Sequence, residues 1–210
     1  MLVRISLFLA LVVFAAAGAQ ATTVSFGDWV YNTTDQIDWR VSVDDESNEG
    51  YFTFNIDIGD QTLTGDVIGF GFNSELNFGS SGINLDLVES FTDGVAFGNC
   101  RGACNFNGTG INPEYAFSVG ALGQDFVSRF SFGLPTFGAT LTANTFSLTA
   151  IRALQVGDDR ENSVKDYSAT ATVVAVPELN GNWAVIVAAL LLSCLLLKQH
   201  RTVRLAPRFA

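Results

Sequence analysis

The sequence predicts an all-β protein: a single antiparallel β-sandwich, jelly-roll-like, followed by one C-terminal transmembrane helix. Three observations carry this. Wherever a period can be read between residues 22 and 175 it is two, the alternating runs are short and bounded by Gly, Asn, Asp or Pro, and no amphipathic helical stripe interrupts them. The clearest run is 51–58, where Phe52, Phe54, Ile56 and Ile58 alternate with Thr53, Asn55 and Asp57, so one face is buried and the other wet. Comparable runs cover 36–43, 66–72, 83–91, 114–119, 126–132, 145–156 and 167–176. Eight short strands with Gly-rich turns form two facing sheets, and the 16 phenylalanines after Phe14 fill the space between them. Phe-Gly neighbours at Gly69-Phe70-Gly71-Phe72, Phe132-Gly133 and Phe137-Gly138 follow no fixed period and read as strand ends and bulges.

From the start of the chain, residues 1–21 have the build of a secretory signal peptide: Arg4 as the positive end, 5–14 as the apolar core, then small residues in which Ala17-Gly18-Ala19 and Ala19-Gln20-Ala21 both fit a cleavage site. No cysteine follows closely, so the exported product is expected to be unlipidated. Residues 22–175 suit a single ectodomain. It holds 20 acidic and six basic residues, a net charge of −14, which excludes nucleic acid as a partner because phosphate contacts need clustered Lys and Arg.

Cys100 and Cys104, with Gly102 between them, are expected to close a small disulfide loop, as cysteines of an exported protein do. Their spacing is not the two-residue interval of redox or zinc pairs, and Cys194 lies in the apolar run near the end as a passive residue. The only histidine is His200, in the tail, which removes Ser-His-Asp and Cys-His catalysis and His-based metal sites from the ectodomain. Catalysis would need carboxylates. Two acidic loops, Asp44-Asp45-Glu46 with Glu49 and Asp158-Asp159 with Glu161, offer three readings: solvated surface, a carboxyl pair for glycoside hydrolysis, or oxygen ligands for a structural Ca²⁺. No other metal or cofactor is expected, and no residue is assigned a catalytic role.

The end of the chain has a tripartite order. Val176-Pro177-Glu178 breaks the last strand; residues 183–197 contain no charge and only Ser193 and Cys194 as polar side chains; Lys198, Arg201, Arg204 and Arg208 follow. As a helix the run is about 22 Å long, short for a bilayer core of about 30 Å, and Lys198 and Arg201 can snorkel to make up part of the difference. Positive charge on the inner flank of both apolar segments, with the acidic ectodomain outside, obeys the positive-inside rule.

This order resembles the PEP-CTERM sorting signal of Gram-negative bacteria: a Pro-Glu-Pro motif, a transmembrane helix and a basic cluster. Val176, Pro177 and Glu178 stand at the motif, with Leu179 where the second proline is usual. The resemblance covers residues 176–210, and 147–168 are loosely similar to the closing strands of other such cargo domains. It implies recognition by an exosortase-type processing enzyme, passage through the inner membrane, and delivery to the cell surface or extracellular matrix. The expected role is structural or adhesive within the exopolysaccharide layer, without catalysis. The alternatives are a carbohydrate-binding module using Trp29, Trp39 or the acidic loops, and a carboxylate-based glycoside hydrolase.

Overall fold

In the computed structural model, residues 21–34, 36–59, 64–79, 83–100, 102–157 and 160–176 are described. The alternating runs become strands: β1 (Ala21–Gly27), β2 (Trp39–Asp44), β3 (Tyr51–Ile58), β4 (Asp66–Ser74), β5 (Glu89–Ser90), β6 (Phe97–Gly98), β7 (Tyr115–Val119), β8 (Arg129–Pro135), β9 (Phe146–Val156), β10 (Asn162–Ser168) and β11 (Thr170–Val176). They form two antiparallel sheets, one ordered β11-β1-β2-β3-β8-β5 and the other β10-β9-β4-β7-β6. The protein is an all-β sandwich. Among the described residues no helix is long and apolar enough to cross a membrane. The expected signal peptide up to Gln20, the sorting residues Pro177 and Glu178, the apolar run 183–197 and the basic Lys198, Arg201 and Arg204 lie outside the described residues.

Phenylalanines from both sheets make the core. Phe54 of β3 stacks on its register partner Phe132 of β8 at 4.7 Å between ring centroids. Across the gap between sheets, Phe54 meets Phe146 of β9 edge-on at 4.7 Å, and Phe132 meets Phe117 of β7 at 5.0 Å. Both are under 2% exposed, and such rings each contribute about 1.5–3 kcal/mol by burial, with about 0.5–1.5 kcal/mol more from edge-to-face geometry.

Three expected strands take a different form, and β1 and β10 arise where none was expected. Within 83–91 only Glu89–Ser90 pairs, with β8, because the Asn84 side chain accepts from the Asp86 amide and turns Leu85–Leu87 into a single 3₁₀ turn. The run 126–132 starts as strand at Arg129, since Phe126 is left-handed (φ 53°). The run 167–176 holds the last two residues of β10 and all of β11, which lie in different sheets, and the rest of β10 arises where no strand was expected; the chain crosses over at Ser168, whose buried hydroxyl donates to the Gly27 carbonyl. Strand β1 arises where the signal peptide boundary was expected, and pairs with β2 on one side and β11 on the other.

Strand β4 is buried on both faces. Val67, Phe70 and Phe72 enter the core, while Gly69 and Gly71 face outward beneath the loop 99–114. A Cβ on Gly69 would lie 2.3 Å from the Ala103 carbonyl oxygen, and one on Gly71 would lie 2.8 Å from the Pro113 ring. The loop is closed by Cys100–Cys104, with Cα atoms 5.2 Å apart, and held down by Arg152, which donates to the Gly102 carbonyl, and by Lys165, whose Nζ donates to the Asn107 carbonyl at 2.8 Å. The alternation Gly69-Phe70-Gly71-Phe72 is therefore a docking surface within one strand, not a set of strand ends.

Gly69→Ala should destabilise the domain by about 1–3 kcal/mol, because its methyl meets backbone and not a side chain that can swing away. A lowered urea midpoint with unchanged slope is the expected result, and a midpoint equal to that of the parent would refute the docking.

Candidate functional site

The two sheets differ in what covers their outer faces. On the five-stranded sheet Gly69 and Gly71 lie under the disulfide loop, whereas the six-stranded sheet presents polar side chains. Strand register aligns Ser25, Ser42, Asn55 and Ser131 in one row across β1, β2, β3 and β8. In the next row Asp57 lies between Arg40 and Arg129, and the Arg129 guanidinium bonds the Asp57 carboxylate at 2.9 Å. A cleft on this face is lined by Ser25, Arg40, Ser42, Asn55 and Asp57. Outside the cleft, on the side of β3 that carries Asn55 and Asp57, Tyr51 meets Phe91 edge-on at 6.1 Å over Gly133, where a Cβ would lie 2.6 Å from the Phe91 ring. Hydroxyls, an amide and an ion pair, spaced about 4.8 Å from strand to strand within each row and flanked by the half-buried Tyr51 and the exposed Phe91, can hydrogen-bond and stack against a polyhydroxylated chain.

Trp39 borders that cleft but belongs to the core. Trp39 is 3% exposed and its indole Nε1 donates to Asp166 at 2.8 Å, so it anchors β2 to β10 and cannot be a ligand platform. Trp29 packs 6.2 Å from Trp39, half-buried, with its Nε1 enclosed and unpaired. Asp166 is fully buried, and its other oxygen accepts from the Asn32 amide at 3.3 Å. Burial raises the Asp166 pKa, and the Trp39 and Asn32 bonds offset part of that rise. Tyr31 is raised too, first by burial and then by Asp166 and Asp38.

The first acidic loop closes a turn. Asp44 Oδ1 accepts from the amides of Glu46 at 3.2 Å and Ser47 at 2.7 Å, Asp44 Oδ2 accepts from Asn55, and Asp45 Oδ1 accepts from the Thr22 amide at 3.1 Å. These carboxylates satisfy backbone donors at the β2–β3 turn and at the start of β1. Asp158 and Asp159 lie outside the described residues, so Glu161 is the part of the second loop that can be placed, just before β10. Among the described residues no three His, Cys, Asp or Glu side chains converge as metal ligands.

The polar rows were not singled out by sequence reasoning, although the period-two pattern of β3 already put Asn55 and Asp57 on its wet face. Asp166 had a readable signal: in Asn162–Ser168 it shares parity with the buried Val164 and Ser168. No family model matches the chain, and no curated protein or solved structure is significantly similar to it.

Trp39→Phe removes the indole donor to a buried carboxylate and should cost about 1.5–3 kcal/mol at neutral pH. Because the Asp166 pKa is raised, its contribution to stability is full below the ordinary carboxyl value of about 3.9 and declines as pH rises through the raised one. The loss caused by the substitution should therefore shrink in mild acid, where Asp166 carries a proton. Urea midpoints of parent and variant at pH 7 and pH 4 measure this, and an equal loss at both would remove Asp166 from the account.

Proposed function

We propose that this chain is an exported surface protein that serves a structural or adhesive role in the extracellular polysaccharide layer, reaching it through a C-terminal sorting signal. The observation that carries the reading is the order Val176-Pro177-Glu178, uncharged residues 183–197, then Lys198, Arg201 and Arg204. A helix over 183–197 would hold the chain in the inner membrane while an exosortase-type enzyme reads the motif, and the ectodomain would then pass to the surface or matrix. An all-β ectodomain closed by a disulfide suits an oxidising exterior. Its jelly-roll-like character is supported by β3 pairing with β8 while β4 pairs with β7, a doubled-over hairpin whose halves lie in different sheets.

A carbohydrate-binding role is the second reading. The row Ser25, Ser42, Asn55 and Ser131, with Tyr51 and Phe91 beyond it, favours it over the tryptophans. Here the polysaccharide is bound as a ligand, by hydrogen bonds to sugar hydroxyls and by ring stacking.

Changing Pro177 and Glu178 together to Ala separates sorting from plain anchoring. The variant should remain full-length in the inner membrane, while the parent appears outside it lacking residues 183–210; equal mass and location for both would refute sorting. For the second reading, Phe91→Ala and Asn55→Ala should each reduce retention of the protein in polysaccharide-containing native gels several-fold. Retention of both variants equal to the parent would exclude this face.

A further inference from the structure

The loop 99–114 contains one Asn-Gly pair, Asn107-Gly108, and the fold leaves it open to solvent. Thr109 closes a turn around it, its amide donating to the Phe106 carbonyl at 3.3 Å and its hydroxyl to the same oxygen at 2.6 Å. Asn107 and Gly108 are the exposed central residues of that turn, and Gly108 is held left-handed at φ 95°. The Asn107 amide is occupied, donating to Asn105 Oδ1 at 2.9 Å, whereas among the described residues the Gly108 amide donates to no acceptor. The other end of that same peptide unit is engaged: the Asn107 carbonyl accepts from Lys165 Nζ of β10 at 2.8 Å. Water reaches the pair from both sides, through a cleft lined by Asn32, Gly108 and Lys165 and another lined by Asn105, Asn107 and Asn112.

The Gly108 nitrogen and the Asn107 Cγ can close a five-membered ring through bonds the chain already has, and no Cβ on Gly108 obstructs the approach. The nitrogen must first lose its proton. A cation bonded to the oxygen of that amide favours the deprotonated form, and no acceptor holds the proton in place. We propose that Asn107 is a site of spontaneous deamidation in the folded protein, promoted by the Lys165 ammonium on its carbonyl. Deprotonated by solvent, the Gly108 nitrogen attacks Cγ; the bond from Cγ to the side-chain nitrogen breaks, and ammonia leaves with a proton from water. Water then opens the cyclic imide. Attack at Cγ restores the peptide bond and leaves an aspartate, while attack at the main-chain carbonyl leaves an isoaspartate whose extra methylene lies in the backbone. Either product adds a negative charge, and the second lengthens the chain where β10 clasps the loop, so an aged molecule holds the cover over Gly69 and Gly71 less firmly. The inference is independent of the sorting and adhesive readings.

The test incubates the full-length chain in detergent at neutral pH in oxygen-18 water, then digests it and reads each asparagine peptide by mass. Label entering with loss of ammonia should appear at Asn107 well ahead of Asn99, Asn105 and Asn112 of the same loop, and Asn107→Gln should abolish it there. Lys165→Gln should slow the reaction at least threefold in the folded protein, whereas Lys165→Arg, which keeps a charged donor, should retain most of the rate. Unfolded in urea, where the contact to Lys165 is lost, parent and both Lys165 variants should react alike. The isoaspartate form, separated by chromatography, should unfold at a lower urea midpoint than the parent. A folded parent whose Asn107 stays unlabelled, or is labelled no faster than the other three, would overturn the site. A folded Lys165→Gln variant reacting as fast as the parent, or slowed equally in urea, would overturn the part given to Lys165.

Discussion

Strand β4 has to be buried twice, and the remainder of the sandwich is arranged around that constraint. One face supplies Phe70 and Phe72 to a core in which rings from β3, β7, β8 and β9 interlock, and the other carries no side chain at Gly69 and Gly71. Bare backbone on that outer face lets the disulfide loop lie against the sheet, covering Ala103 and Phe106 to within a few per cent of full burial. Neither half works alone. Side chains at the glycines would lift the loop, and without the loop the central strand of the five-stranded sheet would expose its backbone to water.

Period-two reasoning located β3, β7 and β9 because their alternation is a direct image of burial, but it passed over β1 and β10. Tyr51–Ile58, Tyr115–Val119 and Phe146–Val156 stand within a residue of where the alternation put them. It failed where local hydrogen bonds or a change of sheet override the pattern: the Asn84 turn, the left-handed Phe126, and the crossover at Ser168. The two-residue strands β5 and β6 carry no period at all. Pairing partners were illegible, since β3 meets β8 and β4 meets β9 through contacts that no local sequence encodes.

The candidate site was less legible still. Tryptophan is the residue most readily associated with sugars, and here Trp39 is consumed by Asp166 inside the fold. The face that does present polar groups is built from Ser, Asn, Asp and Arg residues that are unremarkable one at a time; only the register of four strands turns them into rows. Cys100 and Cys104 were readable because five residues suffice to state their geometry. Acidic residues divide similarly. Those clustered in sequence at the β2–β3 turn satisfy nearby amides, whereas Asp66 and Asp166, each isolated in the sequence, are the buried acids among the described residues.

Strand β1 also dictates when the domain can become complete. Ala21 pairs with Val176 and Gly27 with Thr170, so among the described strands the first to leave the ribosome has as its outer neighbour the last. Loop closure over nearly the whole domain, like the β3–β8 and β4–β9 pairings, belongs to the slow, non-local class of folding events. A nascent chain stopped before Thr170 would have β1 as a bare sheet edge, open to pairing with another molecule. Assembly of the six-stranded sheet is thus deferred until synthesis has passed the end of β11.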